Sequence, residues 1–150
     1  PGIAVYGSAP DFPENDISHW GLQPAMTLAA KVIATQAIST GASVGYGSSF
    51  VADQPMRIGV VACGYADGYP RLCPTGTPVL VDGVRCTSVG RVSMDMISID
   101  LTDLPAAAPG DRVVLWGEDP PAEEVARCAG TIAYELLAAL SPRVLRQLEE

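Results

Sequence analysis

Apolar positions along this chain fall into short runs broken by glycine, proline and Asp-Gly, a rhythm that predicts strands in most of its length. Met26 to Ile38 is long and rich in Val, Ile and Thr, with Lys31 inside it. Arg57 to Cys63 is a continuous apolar run, the pattern of a strand covered on both faces. Pro78 to Val81 and Val84 to Val89 flank Asp82-Gly83, a pair suited to a type I′ hairpin turn. Val92 to Leu101 alternates around Met94 and Met96, and Arg112 to Trp116 predicts one more strand before Gly117. The tail changes period. Asp119 as an acidic N-cap, with Pro120-Pro121 in the first turn, can open a helix over Ala122 to Ala129, stopped by Gly130. Thr131 can cap a second helix, Ile132 to Leu140, which Pro142 forces to end near Ser141. The expected fold is therefore mainly β: a small barrel-like or sandwich domain of short strands, with two short helices near the end.

Residues 1–21 read differently. Pro1-Gly2-Ile3-Ala4-Val5-Tyr6-Gly7 is short, apolar and glycine-bounded, and a polar loop with Pro10, Pro13, Asn15 and Asp16 follows. A buried-looking segment with nothing before it is expected to be the tail of an upstream domain, leaving residues 22–150 as the β domain. The 150 residues suggest about one domain, long enough to bury a core. No internal repeat or low-complexity linker interrupts it.

Charge and cysteine usage narrow the function classes. The net charge of −8 comes with nine Lys and Arg and no basic cluster, which argues against nucleic-acid binding. No apolar run approaches the ~18 residues of a membrane span, and no signal-like segment opens the chain. Cys63, Cys73, Cys86 and Cys128 form no C-x-x-C pair, and His19 is the only histidine, so no metal site is expected. Scattered thiols of this kind suit small core positions and a reducing, cytoplasmic compartment.

Four stretches could carry chemistry: Val44-Gly45-Tyr46-Gly47-Ser48-Ser49-Phe50, Gly64-Tyr65-Ala66-Asp67-Gly68-Tyr69-Pro70-Arg71, Gly90-Arg91-Val92-Ser93-Met94-Asp95, and Gly130-Thr131-Ile132-Ala133-Tyr134-Glu135. Tyrosine can exchange a proton once a neighbouring cation or base favours the phenolate, and flanking glycines admit sharp turns and close approach. Each stretch also has a plain alternative. A tyrosine between glycines can be a turn residue, Asp67-Gly68 a turn, Met94 core, and Tyr134 a half-buried packing residue. Lys31, inside a strand pattern, is expected to point to solvent rather than to serve as a Schiff-base lysine.

Taken in order and at these spacings, the four stretches resemble the carboxy-terminal half of bacterial, pyridoxal-phosphate-dependent alanine racemases. Residues 1–7 resemble that family's last barrel segment, and Ser141-Pro142-Arg143-Val144 its closing motif. The resemblance implies a β domain attached to an upstream (β/α)₈ barrel. It implies that Tyr46 is the second catalytic base, that Tyr65 narrows the site entrance, and that the Met94 backbone N–H holds the substrate carboxylate. Gly2 and Ile3 match a segment whose backbone N–H groups cradle the cofactor phosphate, and Tyr134 a hydroxyl that reaches it. Ser93 stands where a cysteine is common. The lysine that holds pyridoxal 5'-phosphate covalently belongs to the barrel and has no match here.

Two acid-base groups on opposite faces of Cα suit racemisation, and the resemblance assigns one to that lysine and the other to Tyr46, reaching into the partner subunit of a homodimer. The expected function is thus to interconvert L- and D-alanine, with this portion inactive alone. The alternative is a stand-alone, non-catalytic β domain that binds a partner or small ligand. A third reading changes the substrate to serine or another small amino acid.

Overall fold

In a computed structural model, which describes residues 2–148, the strands close into a barrel. Eight strands form: β1 (Leu28–Ile38), β2 (Ser43–Val44), β3 (Phe50–Val51), β4 (Met56–Val61), β5 (Pro78–Val81), β6 (Val84–Val89), β7 (Ile97–Asp100) and β8 (Arg112–Trp116). Two helices follow, α1 (Ala122–Cys128) and α2 (Ala133–Ala138). The barrel runs β1-β4-β7-β6-β5-β8 with antiparallel pairing throughout, and β2 and β3 form a separate ribbon.

Closure depends on the length of β1. Its first half, Leu28–Lys31, pairs with β8, and Val32–Ile38 pairs with β4, so one strand belongs to both edges of the sheet. An irregularity in its pairing between Val32 and Ala34 bends it beside the change of partner, as bulges do, and another between Leu28 and Ala29 lies at its start.

Inward residues fill the barrel: Val32, Val61, Val79, Val81, Ile97, Ile99, Val113 and Leu115 are all buried in one cluster. Gly59 belongs to this layer because a Cβ there would stand 2.6 Å from Leu101 Cδ1. The opposite face of β4 is covered too. Met56 and Ile58 join Ala52 and Val89 in a second cluster that Val44 and Phe50 of the ribbon pack against. The continuous apolar run thus reflects cover on two sides, although Val60 stays half-buried.

The hairpin strands β5 and β6 and the strand β8 lie where the sequence predicts them, and Asp82 and Gly83 both take positive φ, as a type I′ turn requires. The predicted strand Val92–Leu101 shrinks to Ile97–Asp100, and residues 92–96 form an irregular loop. The helices also lack the predicted side-chain caps. α1 starts after Pro121 and α2 after Ile132. Asp119 pairs with Arg85 instead, and the Thr131 hydroxyl bonds the Glu135 carboxylate.

Before the barrel, Gly2–Tyr6 forms a 3₁₀ turn with Ile3 buried against the helices; Pro1, which opens that motif, lies outside the described residues. The carboxylate of buried Glu123 fixes this segment to α1, accepting from Ser8 Oγ and from Ala9 N, each at 2.7 Å. Lys31 is exposed on β1, as expected. All four cysteines are free thiols, Cys63 and Cys73 buried and the other two half-buried.

Candidate functional site

Tyr46 stands on the ribbon's tip. β2 and β3 pair over only two residues each, and the chain between them turns through Gly45 and Gly47, with φ of +80° and +71°. Only glycine adopts that conformation without strain. The tyrosine ring is left 75% exposed. The tip rests on the next motif: a Cβ at Gly45 would lie 3.3 Å from Arg91 N, and one at Gly47 would lie 3.4 Å from an Arg91 guanidinium nitrogen. Arg91 thus sets a cation beside the Tyr46 loop.

From Arg91 the chain runs on to Met94, which meets the Gly64–Asp67 turn. Tyr65 N donates to Ser93 O at 3.1 Å and Ala66 N to Met94 O at 2.9 Å. A Cβ at Gly64 would lie 2.3 Å from Met94 O, so only glycine permits this approach. Met94 is 53% exposed and Tyr65 37%, so both present side chains outward. Arg71 stacks its guanidinium over the Tyr65 ring at 5.9 Å. The loop that carries Tyr46 therefore packs on Arg91, and the segment from Arg91 to Met94 is in turn hydrogen-bonded to the Tyr65 turn.

Tyr69, four residues after Tyr65, has the opposite environment. It is 1% exposed, and no partner for its hydroxyl is found among the described residues. Burial, reinforced by the nearby thiols of Cys73, Cys63 and Cys128, pushes its phenol well above the usual value. It is a core residue, not a base. Burial also raises the Cys63 thiol to about 12, helped by the adjacent Asp67 carboxylate, and Cys73 to about 11. Neither is a ready nucleophile.

A third group sits apart from that face. The Tyr134 hydroxyl faces Gly2, where a Cβ would lie 3.9 Å away, and Gly2 is exposed with φ of +56°. Tyr134 itself is 49% exposed, and Ile3, Phe12, Glu123 and Arg127 line the adjoining cavity. A solvent-facing hydroxyl beside an exposed glycine backbone is a donor set that suits an oxyanion such as phosphate.

The sequence reading missed the connector of these motifs. The Arg143 guanidinium donates through Nε to Asp67 Oδ1 at 2.6 Å and through an Nη to Asp95 Oδ1 at 2.6 Å. Asp67 Oδ2 in turn accepts from Gly64 N at 2.8 Å. Burial acts to raise the Asp67 carboxyl, but the bonds from Arg143 and Gly64 outweigh it and hold the group below the ordinary value. The only sequence signal was the Ser-Pro-Arg-Val motif itself.

Comparison with known proteins places the chain in a family. The family model described as "Alanine racemase, C-terminal domain" matches residues 25–148. The alanine racemase of Albidiferax ferrireducens is 63% identical over 153 residues, covering 96% of this chain and 41% of that protein. Among solved structures, biosynthetic alanine racemase from Pseudomonas aeruginosa superposes with a TM-score of 0.97 at 51% identity. It covers 100% of this chain and 42% of that one. Alanine racemase from Bartonella henselae with covalently bound pyridoxal phosphate gives 0.85 at 35% identity, covering 95% and 39%. The chain thus spans about two fifths of the length of the relatives it matches.

Proposed function

The chain belongs to the alanine racemase C-terminal domain family, and on that premise we propose that it completes the site of a cytoplasmic, homodimeric enzyme that interconverts L- and D-alanine. Residues 1–21 form the end of its upstream barrel domain, and residues 22–150 the β domain. The observation that supports this reading is the exposure of Tyr46, Tyr65 and Met94 on loops that pack on one another through Arg91 and the bonds from Tyr65 and Ala66 to Ser93 and Met94. An isolated domain seldom leaves such large side chains uncovered without a partner surface. Here that surface is the barrel of a neighbouring subunit.

Tyr46 holds or takes the proton on one face of the substrate Cα, and a lysine of the barrel serves the other. The exposed tip lets the phenol reach outward, since no wall of its own domain encloses it. The Met94 backbone N–H orients the substrate carboxylate, and Ala66 N, by fixing the Met94 carbonyl, sets the direction of that loop. Tyr65, with Arg71 stacked on it, narrows the approach and limits water entry. The Gly2 and Ile3 backbone and the Tyr134 hydroxyl would hold the phosphate of pyridoxal 5'-phosphate. When bound, that group delocalises the charge left on Cα, which is why the protein need only supply placement and proton transfer.

The deciding experiment is Tyr46→Phe in the intact enzyme. Turnover of alanine is expected to fall by about 10²–10⁴-fold or more, the contribution of a positioned acid-base group, with the fold retained. Unchanged turnover removes Tyr46 from the mechanism and the reading with it.

A further inference from the structure

We infer that Arg143 is a positioning residue, a clamp whose two arms hold the Tyr65 turn and the Met94 loop in a fixed relation so that the carboxylate anchor faces the substrate. The inference rests on the function proposed above and adds a residue to it.

The geometry is specific. The two carboxylates belong to different motifs, Asp67 ending the Tyr65 turn and Asp95 following Met94, and one guanidinium reaches both at 2.6 Å. Behind it the chain is tied down twice: Ser141 N donates to Asp67 O at 3.0 Å, and Arg143 N donates to Ser141 Oγ at 3.4 Å. Gly68, at the end of the same turn, packs so tightly on the Ala139–Leu140 backbone that a Cβ would come within 2.5 Å of Ala139 O. Arg143 therefore projects from a segment already fixed to one of the two loops it joins.

An exposed ion pair contributes little stability by itself, and Arg143 and Asp95 are both about half exposed. What the clamp supplies is orientation. Between the motifs run the backbone bonds Tyr65 N to Ser93 O and Ala66 N to Met94 O, both near the exposed rim. The fork of an arginine, unlike the point charge of a lysine, can engage two carboxylates in fixed directions at once. Releasing it frees the Met94 loop to shift, and a shift of about 1 Å at an anchoring group is enough to cost up to 10²-fold in rate.

The test uses the full-length enzyme with Arg143→Ala, Arg143→Lys and Asp95→Asn. Hydrogen exchange of the peptides over residues 64–69 and 92–96 is measured first, because it needs no activity. With Arg143→Ala both peptides are expected to exchange faster together, with Lys giving an intermediate rate. Asp95→Asn, the milder change should the alanine variant fail to fold, should loosen mainly residues 92–96. Kinetics then separate positioning from mere stability. KM for alanine and the inhibition constant of propionate, which keeps the carboxylate and lacks the amine, are expected to rise in parallel by about 10-fold or more. A loss of folded enzyme would lower apparent kcat and leave both constants alone.

Unchanged exchange in both peptides overturns the clamp whether or not the enzyme acts on alanine. Faster exchange with KM and propionate binding within twofold of wild type overturns its positioning role. A wild-type enzyme that fails to racemise alanine overturns the proposed function instead, and the exchange result still decides the clamp.

Discussion

Gly64 and Met94 touch through their backbones: a Cβ on Gly64 would stand 2.3 Å from the Met94 carbonyl oxygen and 2.4 Å from the Ser93 oxygen. Gly64 has extended φ of −150°, so glycine is needed here for space and not for conformation. The obstructing atoms are backbone and cannot rotate aside. Gly64→Ala is therefore expected to push the Met94 loop outward, costing about 1–3 kcal/mol as overpacking does, and to raise KM for alanine. Gly83→Ala makes a useful contrast, because open space surrounds it and only its positive φ is strained. Thermal unfolding of both variants, with KM beside it, checks the pair: stability should fall in both, KM rise only in Gly64→Ala.

Acid should reveal the bonds held by Asp67. Its folded-state carboxyl lies below the ordinary value of about 3.9 because Arg143 and Gly64 favour the charged form over the burial that opposes it. A depressed folded pKa gives stability that is fully present above the unfolded pKa and lost as pH falls through the folded one. The wild-type advantage over Asp67→Asn should thus be constant near neutrality and shrink below about pH 4. Unfolding midpoints of the two proteins followed from pH 7 to pH 2 measure it; a gap that persists unchanged to pH 2 contradicts the assignment.

Much of the barrel was legible from local signals and much of the site was not, for the same reason: range. β5, β6 and β8 are bounded by turn residues next to them in sequence, so Asp82-Gly83 and Gly117 mark their ends. The loop 92–96 misled because Met94 and Met96 alternate with smaller residues, yet both are exposed and the intervening backbone bends to meet Gly64 and Tyr65. The predicted caps failed because distant or neighbouring charges claimed them, Arg85 taking Asp119 and Glu135 taking Thr131. Arg143 lies 76 positions from Asp67, and no periodicity within one chain reports a pairing at that distance. The positions of Tyr46, Tyr65, Met94 and Tyr134 came from a resemblance; what the structure adds is the bonds that tie the Tyr65 turn to the Met94 loop, the packing of the Tyr46 loop on Arg91 and the approach of the Tyr134 hydroxyl to Gly2.

Glu123 should matter to the phosphate cradle although it does not line the exposed backbone of Gly2. Its single oxygen Oε1 accepts from both Ser8 and Ala9, and so fixes the segment that begins at Gly2 to the helix preceding Tyr134. Glu123→Ala leaves two buried donors unsatisfied, at about 1–3 kcal/mol each. Glu123→Gln keeps an acceptor and should be milder. In the full-length enzyme, equilibrium binding of pyridoxal 5'-phosphate is expected to weaken in the order Gln, then Ala. Equal affinity in both variants and wild type would show that the segment is held by other contacts.

Removing one hydroxyl should have opposite consequences at two tyrosines of this chain. Tyr69 buries a hydroxyl that has only the Cys73 thiol, a weak acceptor, beside it among the described residues, so Tyr69→Phe trades a poorly satisfied polar group for hydrocarbon of the same shape. Such a change is near neutral or stabilising, and activity should be kept. Tyr46 is exposed on the ribbon tip and packs on little, so Tyr46→Phe should leave stability within about 0.5 kcal/mol, as surface changes do, while turnover falls steeply. The two faces of Cα then allow a sharper test. If Tyr46 serves the L enantiomer and the barrel lysine the D enantiomer, exchange of the Cα proton into deuterated solvent should be depressed most from L-alanine. Exchange from D-alanine with retention should survive. Net racemisation must fall equally in both directions, because the equilibrium between enantiomers is fixed and no variant can move it. Equal depression of exchange from both enantiomers would make Tyr46 a residue that orients the site rather than one that moves the proton.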